Sequence, residues 1–149
     1  MTQAPSFPRP LVEVTVAAPA DEVWRALRDP ARITQWFGWE AESLAAEIEH
    51  IFVQHALPDD AARVLRFDDD FPDWFEVEDR GATCVVRVLR PAPTADHDWS
   101  DVFEDMTQGW ISFVEQLRFS FHRHAGAPRR TIYVSGTPHA GVLGIAALG

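Results

Sequence analysis

The stretch from Ala17 to Glu40, AAPADEVWRALRDPARITQWFGWE, decides the fold of this chain. Pro19 suits the first turn of a helix, where its missing backbone N–H costs no hydrogen bond. Asp29 and Pro30 repeat this signal as the N-cap and the first residue of a second helix. The stretch therefore predicts two short helices, and it ends in the aromatic sequence Trp-Phe-Gly-Trp at 36–39.

This segment resembles the START-like (SRPBCC) superfamily, and within it the Hsp90 ATPase activator homologue 1-like family. The residues that carry the resemblance are Ala18, Pro19, Val23, Trp24, Ala26, Leu27, Asp29, Pro30, Trp36 and Phe37. Two later features agree with the same family: Gly81-Ala82-Thr83 before a β-run, and Gly109-Trp110 inside a long helix. The resemblance spans roughly Leu11 to His124. It implies an α+β helix-grip fold, in which a curved antiparallel sheet wraps a long C-terminal helix, with two short helices after strand 1.

Length and composition limit the classes of protein. A chain of 149 residues is long enough for one domain with a sizeable core. We expect a START-like domain over residues 1–130, with residues 1–10 as a loose leader. Residues 131–149 would form a C-terminal extension, with one strand at 131–134 and then an apolar tail. The lone Cys84 lies within an apolar run, where a buried, unreactive thiol is expected.

Charge and hydropathy bear on partners and location. The formal net charge is -10, which argues against nucleic acid and anionic membranes as partners, because both select basic surfaces. No window approaches the roughly 20 apolar residues of a transmembrane helix, and the N-terminus lacks the apolar segment of a signal peptide. A cytoplasmic location is therefore expected.

Residues 40–57 are the segment where periodicity and family disagree. Leu44, Ile48 and Phe52 recur every four residues, which favours a helix over the strand pair that the family places here. The sequence Leu-Pro-Asp-Asp at 57–60 is typical of a turn.

The remaining elements follow from period-two and period-3.6 patterns. We expect a first strand at Leu11–Ala17, then an antiparallel meander of Arg63–Phe67, Trp74–Glu78 and Ala82–Arg90. A long amphipathic helix over Asp98–His124 follows, since apolar residues hold one face for about six turns.

The aromatic side chains are the candidate ligand-binding residues. In a START-like fold the helix and the sheet enclose a pocket, and aromatic walls suit a flat or apolar ligand. The candidates are Trp36, Phe37, Trp39, Phe52, Trp74, Trp110 and Phe113. Three of them, Trp36, Trp39 and Trp110, are the strongest, because a buried indole N–H needs a polar partner. The alternative is that these rings simply fill the core. The predicted function is binding of an apolar small molecule.

No catalytic motif, metal-ligand spacing or cofactor-binding loop is evident in the sequence, so neither a cofactor nor a metal is predicted. The acidic run at 68–73 is typical of a solvated turn, and the pairs His50/His55 and His122/His124 do not share a helix face. Three other functions stay open. One is a cyclase- or dehydrase-type enzyme that uses acids in the pocket, with candidates Glu40, Glu47, Glu76 and Asp105. Another is an Hsp90-type co-chaperone, and the third is a homodimer formed through the tail, Ile111 and Phe119.

Overall fold

The computed structural model describes residues 9–68, 71–91, 100–123 and 127–132. The N-terminal half contains the strand β1, three α-helices and a π-helix that continues the third of them: β1 (Arg9–Val16), α1 (Ala20–Arg28), α2 (Pro30–Ile33), α3 (Leu44–Ile48) and the π-helix (Glu49–Gln54). The second half contains four strands and the long helix: β2 (Ala56–Asp59), β3 (Val64–Phe67), β4 (Trp74–Asp79), β5 (Cys84–Arg90) and α4 (Ser100–Arg123).

The five strands form one antiparallel sheet in the order β1-β5-β4-β3-β2. The order follows from the chain, because β2 to β5 pair in sequence as a meander and β1 then adds at the β5 edge. The long helix α4 comes last and contacts β1. This arrangement, with two short helices directly after β1, confirms the α+β helix-grip fold that the sequence predicts.

Side-chain alternation gives the sheet two different faces. Val14 and Val16 on β1 pair with Val86 and Cys84 on β5, and all four are buried in the core. The opposite face carries Glu13, which pairs with Arg87 and forms an ion pair with it. Alternation of this kind predicts one face packed on helices and one face that carries charge.

Helices α1 and α2 form as the sequence predicts, with one small shift. Asp29 caps α2 by accepting a hydrogen bond from the Ala31 N–H at 3.0 Å, and Pro30 is its first residue. Pro19 was expected in the first turn of α1, but it is the N-cap, and the helix begins at Ala20. The buried face of α1 packs on β4 and β5, with Val23 and Leu27 fully buried.

Most of the region 40–57 is helical, as its periodicity favours, through α3 and the π-helix from Leu44 to Gln54. The predicted turn at 57–60 is wrong, because Ala56–Asp59 is a strand paired with β3. Pro58 is compatible with a strand here since β2 lies at the edge of the sheet, where a missing N–H costs no ladder bond. The reversal comes at 60–63 instead, where Arg63 adopts a positive φ of 53°.

In the C-terminal part of the chain, the structure describes the predicted long helix but not the predicted apolar tail. In α4 the expected stripe buries Trp110, Val114 and Leu117. Residues 127–132 have no regular secondary structure, so the first half of the strand predicted at 131–134 is not formed. Residues 133–134 and the whole apolar tail lie outside the described residues. The first strand begins at Arg9, within the expected leader, and residues 1–8 also lie outside the described part.

Candidate functional site

An open groove of about 580 Å³ runs beside the N-terminal half of α4. Apolar side chains form most of its walls: Phe37, Trp39, Ile51, Phe71, Met106, Trp110 and Phe113. Polar groups come from the helix: Asp105, Gln108 and Ser112. Trp39 is 51% exposed, so this wall of the groove faces solvent.

The aromatic rings of the groove contact one another edge-on or tilted. Phe113 lies 5.2 Å from Phe37 and 5.6 Å from Trp39, measured between ring centroids. Trp110 lies 6.2 Å from Phe37 and 6.3 Å from Phe113. These separations are within the range of favourable aromatic pairs, so the rings support each other as a preformed surface.

The interior beneath the groove is filled by the protein's own side chains. Trp36 and Phe52 are 1% and 0% exposed, and their centroids lie 5.8 Å apart. Phe75, also fully buried, contacts Trp36 at 6.0 Å and Trp110 at 5.1 Å. The space where a helix-grip protein could enclose a hollow therefore holds packed rings among the described residues, and the available volume lies at the side.

The structure separates the seven predicted ligand-binding residues into three groups. Phe37, Trp39, Trp110 and Phe113 line the groove. Trp36 and Phe52 belong to the core and do not line the groove, whereas Phe37 and Trp110, 6% and 7% exposed, belong to the core and line the groove as well.

Trp74 lies on the opposite face of the sheet, because its neighbour Phe75 points into the core and strand residues alternate. There the Trp74 ring lies under the Arg66 guanidinium at 4.5 Å and its indole N–H donates to Glu76 at 3.0 Å.

The indole groups of Trp36 and Trp110, singled out from the sequence, have partners inside the protein. The Trp36 N–H donates to the Ala26 carbonyl at 2.8 Å. The Trp110 N–H donates to Asp73 Oδ2 at 3.0 Å, inside the protein. The expectation that a buried indole needs a polar partner is correct, but the partner is the protein itself.

Asp73 anchors a buried polar network that the sequence does not predict. Its carboxylate is 1% exposed and accepts two hydrogen bonds from the Arg90 guanidinium, at 2.7 and 2.8 Å. Arg90 also donates to the Thr107 hydroxyl at 2.8 Å, and the Trp110 indole donates to the same Asp73 carboxylate. The network joins the start of β4, the end of β5 and the helix α4 behind the groove.

The acidic run at 68–73 is therefore not simply a solvated turn. Asp73 departs from that expectation because Arg90, 17 residues away, arrives beside it through the β4–β5 pairing. Asp68 is partly exposed and lies 2.6 Å from the His55 ring, while residues 69–70 lie outside the described residues. The sequence hint of this pair was Arg90 itself, a charged residue at the end of a mostly apolar strand that would need a partner if buried.

The chain segment after α4 holds the aromatic wall of the groove in place. Arg129 donates to the carbonyls of Phe37 and Gly38, at 2.8 and 2.7 Å, and to Gln116 of α4 at 2.9 Å. The burial of its guanidinium lowers the pKa of Arg129 from its ordinary value, with Glu40 opposing that shift. Thr131 adds two hydrogen bonds to Glu40, one through its amide and one through its hydroxyl. These bonds fix the backbone of residues 37–40, which carries the Phe37 and Trp39 side chains.

Gly109 forms part of the groove floor, and it does not serve a close approach of α4 to another element. A methyl group at this position would meet only the ring of Phe113, at 3.5 Å, an ordinary contact distance. The absence of a side chain therefore leaves volume in the groove.

Of the four acids considered for catalysis, Asp105 alone lines the groove. Glu40 bonds to Thr131, and Glu47 accepts a hydrogen bond from the Ser43 hydroxyl at 2.9 Å. Glu76 lies with Trp74 on the other face of the sheet. The structure does not bring these acids together as a pair.

The expectation that His50 and His55 do not meet is wrong. Their ring centroids lie 4.3 Å apart. The cause is the π-helix, in which the His55 N–H bonds to the His50 carbonyl at 3.1 Å, so that residues five apart lie one above the other. An α-helical spacing rule does not apply to such a turn.

Cys84 is a buried thiol at the start of β5. Burial, with a contribution from Asp79, raises the pKa of the Cys84 thiol to about 11, which fits the expected unreactive cysteine. Within the described ranges no cluster of three His, Cys, Asp or Glu side chains is arranged to hold a metal ion, and no helix there has the length and apolar character to cross a membrane.

Comparison with known proteins supports the fold. No protein-family model and no curated protein sequence matches the chain. Among solved structures it is similar to the di-domain ARO/CYC protein BexL from the BE-7585A biosynthetic pathway, with a TM-score of 0.51 at 19% identity. That match covers 72% of this chain and 44% of BexL, so the chain spans less than half of that protein.

A second similar structure is DynU16, from the dynemicin biosynthetic locus, with a TM-score of 0.33 at 23% identity. The match covers 73% of this chain and 45% of DynU16. A TM-score that low does not establish a common fold. At 19% identity, the likeness to BexL shows a shared fold and nothing about ligand or reaction.

Proposed function

We propose that this protein binds a small apolar or aromatic molecule in the groove beside α4. The observation that carries the proposal is the groove itself, which has about 580 Å³ of space between Phe37, Trp39, Trp110 and Phe113. That volume is within the range of small-molecule sites, which are mostly apolar with a few polar groups for orientation.

The groove is better suited to a ligand than to further core packing. Trp39 remains 51% exposed beside Phe113, although exposed aromatic surface favours burial by roughly 25 cal/mol per Å². A flat ring laid against the open side of Trp39 and Phe113 would remove that surface from water. The Asp105, Gln108 and Ser112 side chains lie where they can orient a polar substituent of the ligand.

The role of the other predicted residues follows from their position. Trp36 and Phe52 support Phe37 from behind, with Phe37 and Phe52 centroids 5.0 Å apart. We therefore propose that the ligand touches the four groove residues, and that Trp36 and Phe52 hold the wall rigid. Trp74 lies on the far side of the sheet and takes no part in the groove.

The test is a titration of the full chain with 2-naphthol, a neutral bicyclic aromatic probe, followed by calorimetry and by tryptophan fluorescence. Saturable binding is expected. The Trp39→Ala variant should bind at least about fivefold more weakly, because one face of the ligand loses its partner. The Gly109→Leu variant, which places a side chain in the groove floor, should not bind at all.

The matched control for Trp39→Ala is Phe119→Ala, which removes an aromatic ring of similar exposure, 54%, from α4 at a position outside the groove. Its binding should equal that of the unmodified chain. Binding that is absent in every form, or that falls equally in Trp39→Ala and Phe119→Ala, would contradict the proposal.

An enzyme of the cyclase or dehydrase type is the second candidate, and Asp105 is the observation that favours it, since it lines the groove. A general acid or base must reach the proton that it moves. If the groove hosts such chemistry, Asp105→Asn should abolish turnover of an aromatic polyketide-like substrate while 2-naphthol still binds. Unchanged turnover in that variant would remove this candidate.

The Hsp90-activator resemblance, the Hsp90-type co-chaperone role, the homodimer through Ile111 and Phe119, and the division at residue 130 stay predictions from the sequence. Ile111 is half-buried and Phe119 exposed on α4. Light scattering across a concentration series would test the dimer directly.

A further inference from the structure

Three arginines meet at the junction of α1 and α2, away from the groove. Arg25, Arg28 and Arg32 line a shallow pocket of about 430 Å³ together with Asp29. Arg25 and Arg28 lie one helical turn apart on α1, and the break at Asp29 brings Arg32 of α2 to the same pocket. We call this site the arginine pocket.

None of these guanidinium groups has a carboxylate within 4.0 Å among the described residues. Arg28 donates to the Phe52 carbonyl at 3.2 Å, and Arg32 to the Glu22 carbonyl at 3.4 Å, and both acceptors are neutral. The Asp29 carboxylate is already engaged by the Ala31 N–H as the cap of α2. The arginine pocket therefore carries more positive than negative charge.

Several arginines elsewhere on this protein are paired with carboxylates. Arg63, Arg87 and Arg90 pair with carboxylates of Asp21, Glu13 and Asp73. The chain has 23 acidic residues against 13 basic ones, so carboxylates are abundant. Three like charges left together in such a chain repel one another unless an anion joins them.

The surroundings of Arg28 favour an added negative charge. Burial lowers the pKa of Arg28 from its ordinary value, and the opposing attraction comes from Asp60, which forms no direct ion pair with it. Arg25 likewise attracts the Asp21 carboxylate only through space, because that carboxylate is hydrogen-bonded to Arg63. An oxyanion in the pocket would restore the charge balance that these partners supply only at a distance.

We propose that the arginine pocket binds a phosphate group carrying two negative charges. Guanidinium groups present paired N–H donors that match the geometry of phosphate oxygens, and several arginines around one anion are typical of such sites. The phosphate could be free inorganic phosphate or the monoester end of a larger molecule, since both present the same oxygens. This inference does not depend on the groove or on its ligand.

The test is NMR observation of the arginine side-chain Nε–H signals in the full chain during titration with sodium phosphate, phenyl phosphate and sodium chloride at constant ionic strength. Saturable shifts of Arg25, Arg28 and Arg32 are expected with both phosphates and not with chloride. Tighter binding of phenyl phosphate would identify a monoester, and equal binding would identify free phosphate.

The variant is Arg25→Gln with Arg32→Gln, because both residues are exposed and their replacement leaves the Arg28 contact to Phe52 in place. Phosphate affinity should fall at least about tenfold. Arg118→Gln is the control, since Arg118 pairs with the exposed Glu115 of its own helix, and it should leave phosphate binding unchanged. Shifts that do not saturate, that appear equally with chloride, or that persist in the double variant would overturn the proposal.

Discussion

The interior of this protein and the groove beside α4 are built from the same kind of side chain. In the interior, Trp36 contacts Phe52 and Phe75 edge-on. In the groove, Phe113 contacts Trp39 edge-on and Phe37 at a tilt. The interior rings are covered on every side, whereas Trp39 is half exposed. Aromatic composition therefore does not separate core from binding site, and the open side of the groove does.

The largest effect is expected in the interior. Phe52→Ala removes a ring that is 0% exposed, so the free energy of unfolding should fall by about 3–5 kcal/mol. Urea unfolding monitored by circular dichroism measures this. Trp39→Ala is the groove counterpart, and its unfolding free energy should change by less than about 1 kcal/mol. Equal losses in both variants would mean that the groove is part of the core.

The second effect concerns the network behind the groove. Asp73→Asn leaves the Arg90 guanidinium, 16% exposed, without its paired carboxylate, which should cost about 2–4 kcal/mol, somewhat less than a fully buried pair. The same unfolding measurement applies. Glu115→Gln breaks the exposed pair with Arg118 and should cost below about 0.5 kcal/mol. A loss in Asp73→Asn as small as in Glu115→Gln would show that the network contributes little.

A third, smaller effect is expected at the Arg129 clip, the set of hydrogen bonds from Arg129 to the carbonyls of Phe37 and Gly38 and to Gln116. Arg129→Ala leaves two carbonyls and Gln116 without their donor, which should cost about 1–3 kcal/mol and weaken 2-naphthol binding. Its neighbour provides the control, since Arg130 is 88% exposed and lies 3.5 Å from Glu40. If Arg130→Ala matches Arg129→Ala in both measurements, the wall is not positioned by the clip.

The smallest effect has opposite signs at two glycines. Gly109→Ala should raise the unfolding free energy by roughly 0.5–1 kcal/mol, because alanine favours a helix and its methyl group has space. Gly38→Ala should lower it, since φ is +62° there and the methyl group would lie 2.9 Å from Leu44 Cδ1. Thermal melts of the two variants give the comparison. A destabilised Gly109→Ala would indicate that the groove floor is tighter than described.

The positions that sequence reasoning missed share one cause. Asp73 and Arg90 are 17 residues apart, and only the β4–β5 register brings them together. His50 and His55 meet because the chain takes a π-helical turn, which no helical spacing rule anticipates. The strand Ala56–Asp59 exists because β3 offers it an edge, despite a local sequence typical of a turn. Each depends on contacts between distant or irregular parts of the chain.

The sequence by itself determined the capped helices after β1, the meander of β3 to β5 and the amphipathic α4, because periodicity, caps and turn residues act over a few neighbouring positions. It also determined which residues are aromatic, but not which of them face a ligand. Only the tertiary structure decided that Trp36 and Phe52 lie in the core, that Trp74 lies on the far face of the sheet, and that Phe37, Trp39, Trp110 and Phe113 border open space. The physical reason is that the exposure of an aromatic side chain depends on where the packed helices and strands leave a gap. Such a gap forms between residues far apart in the chain, so no local sequence pattern indicates it.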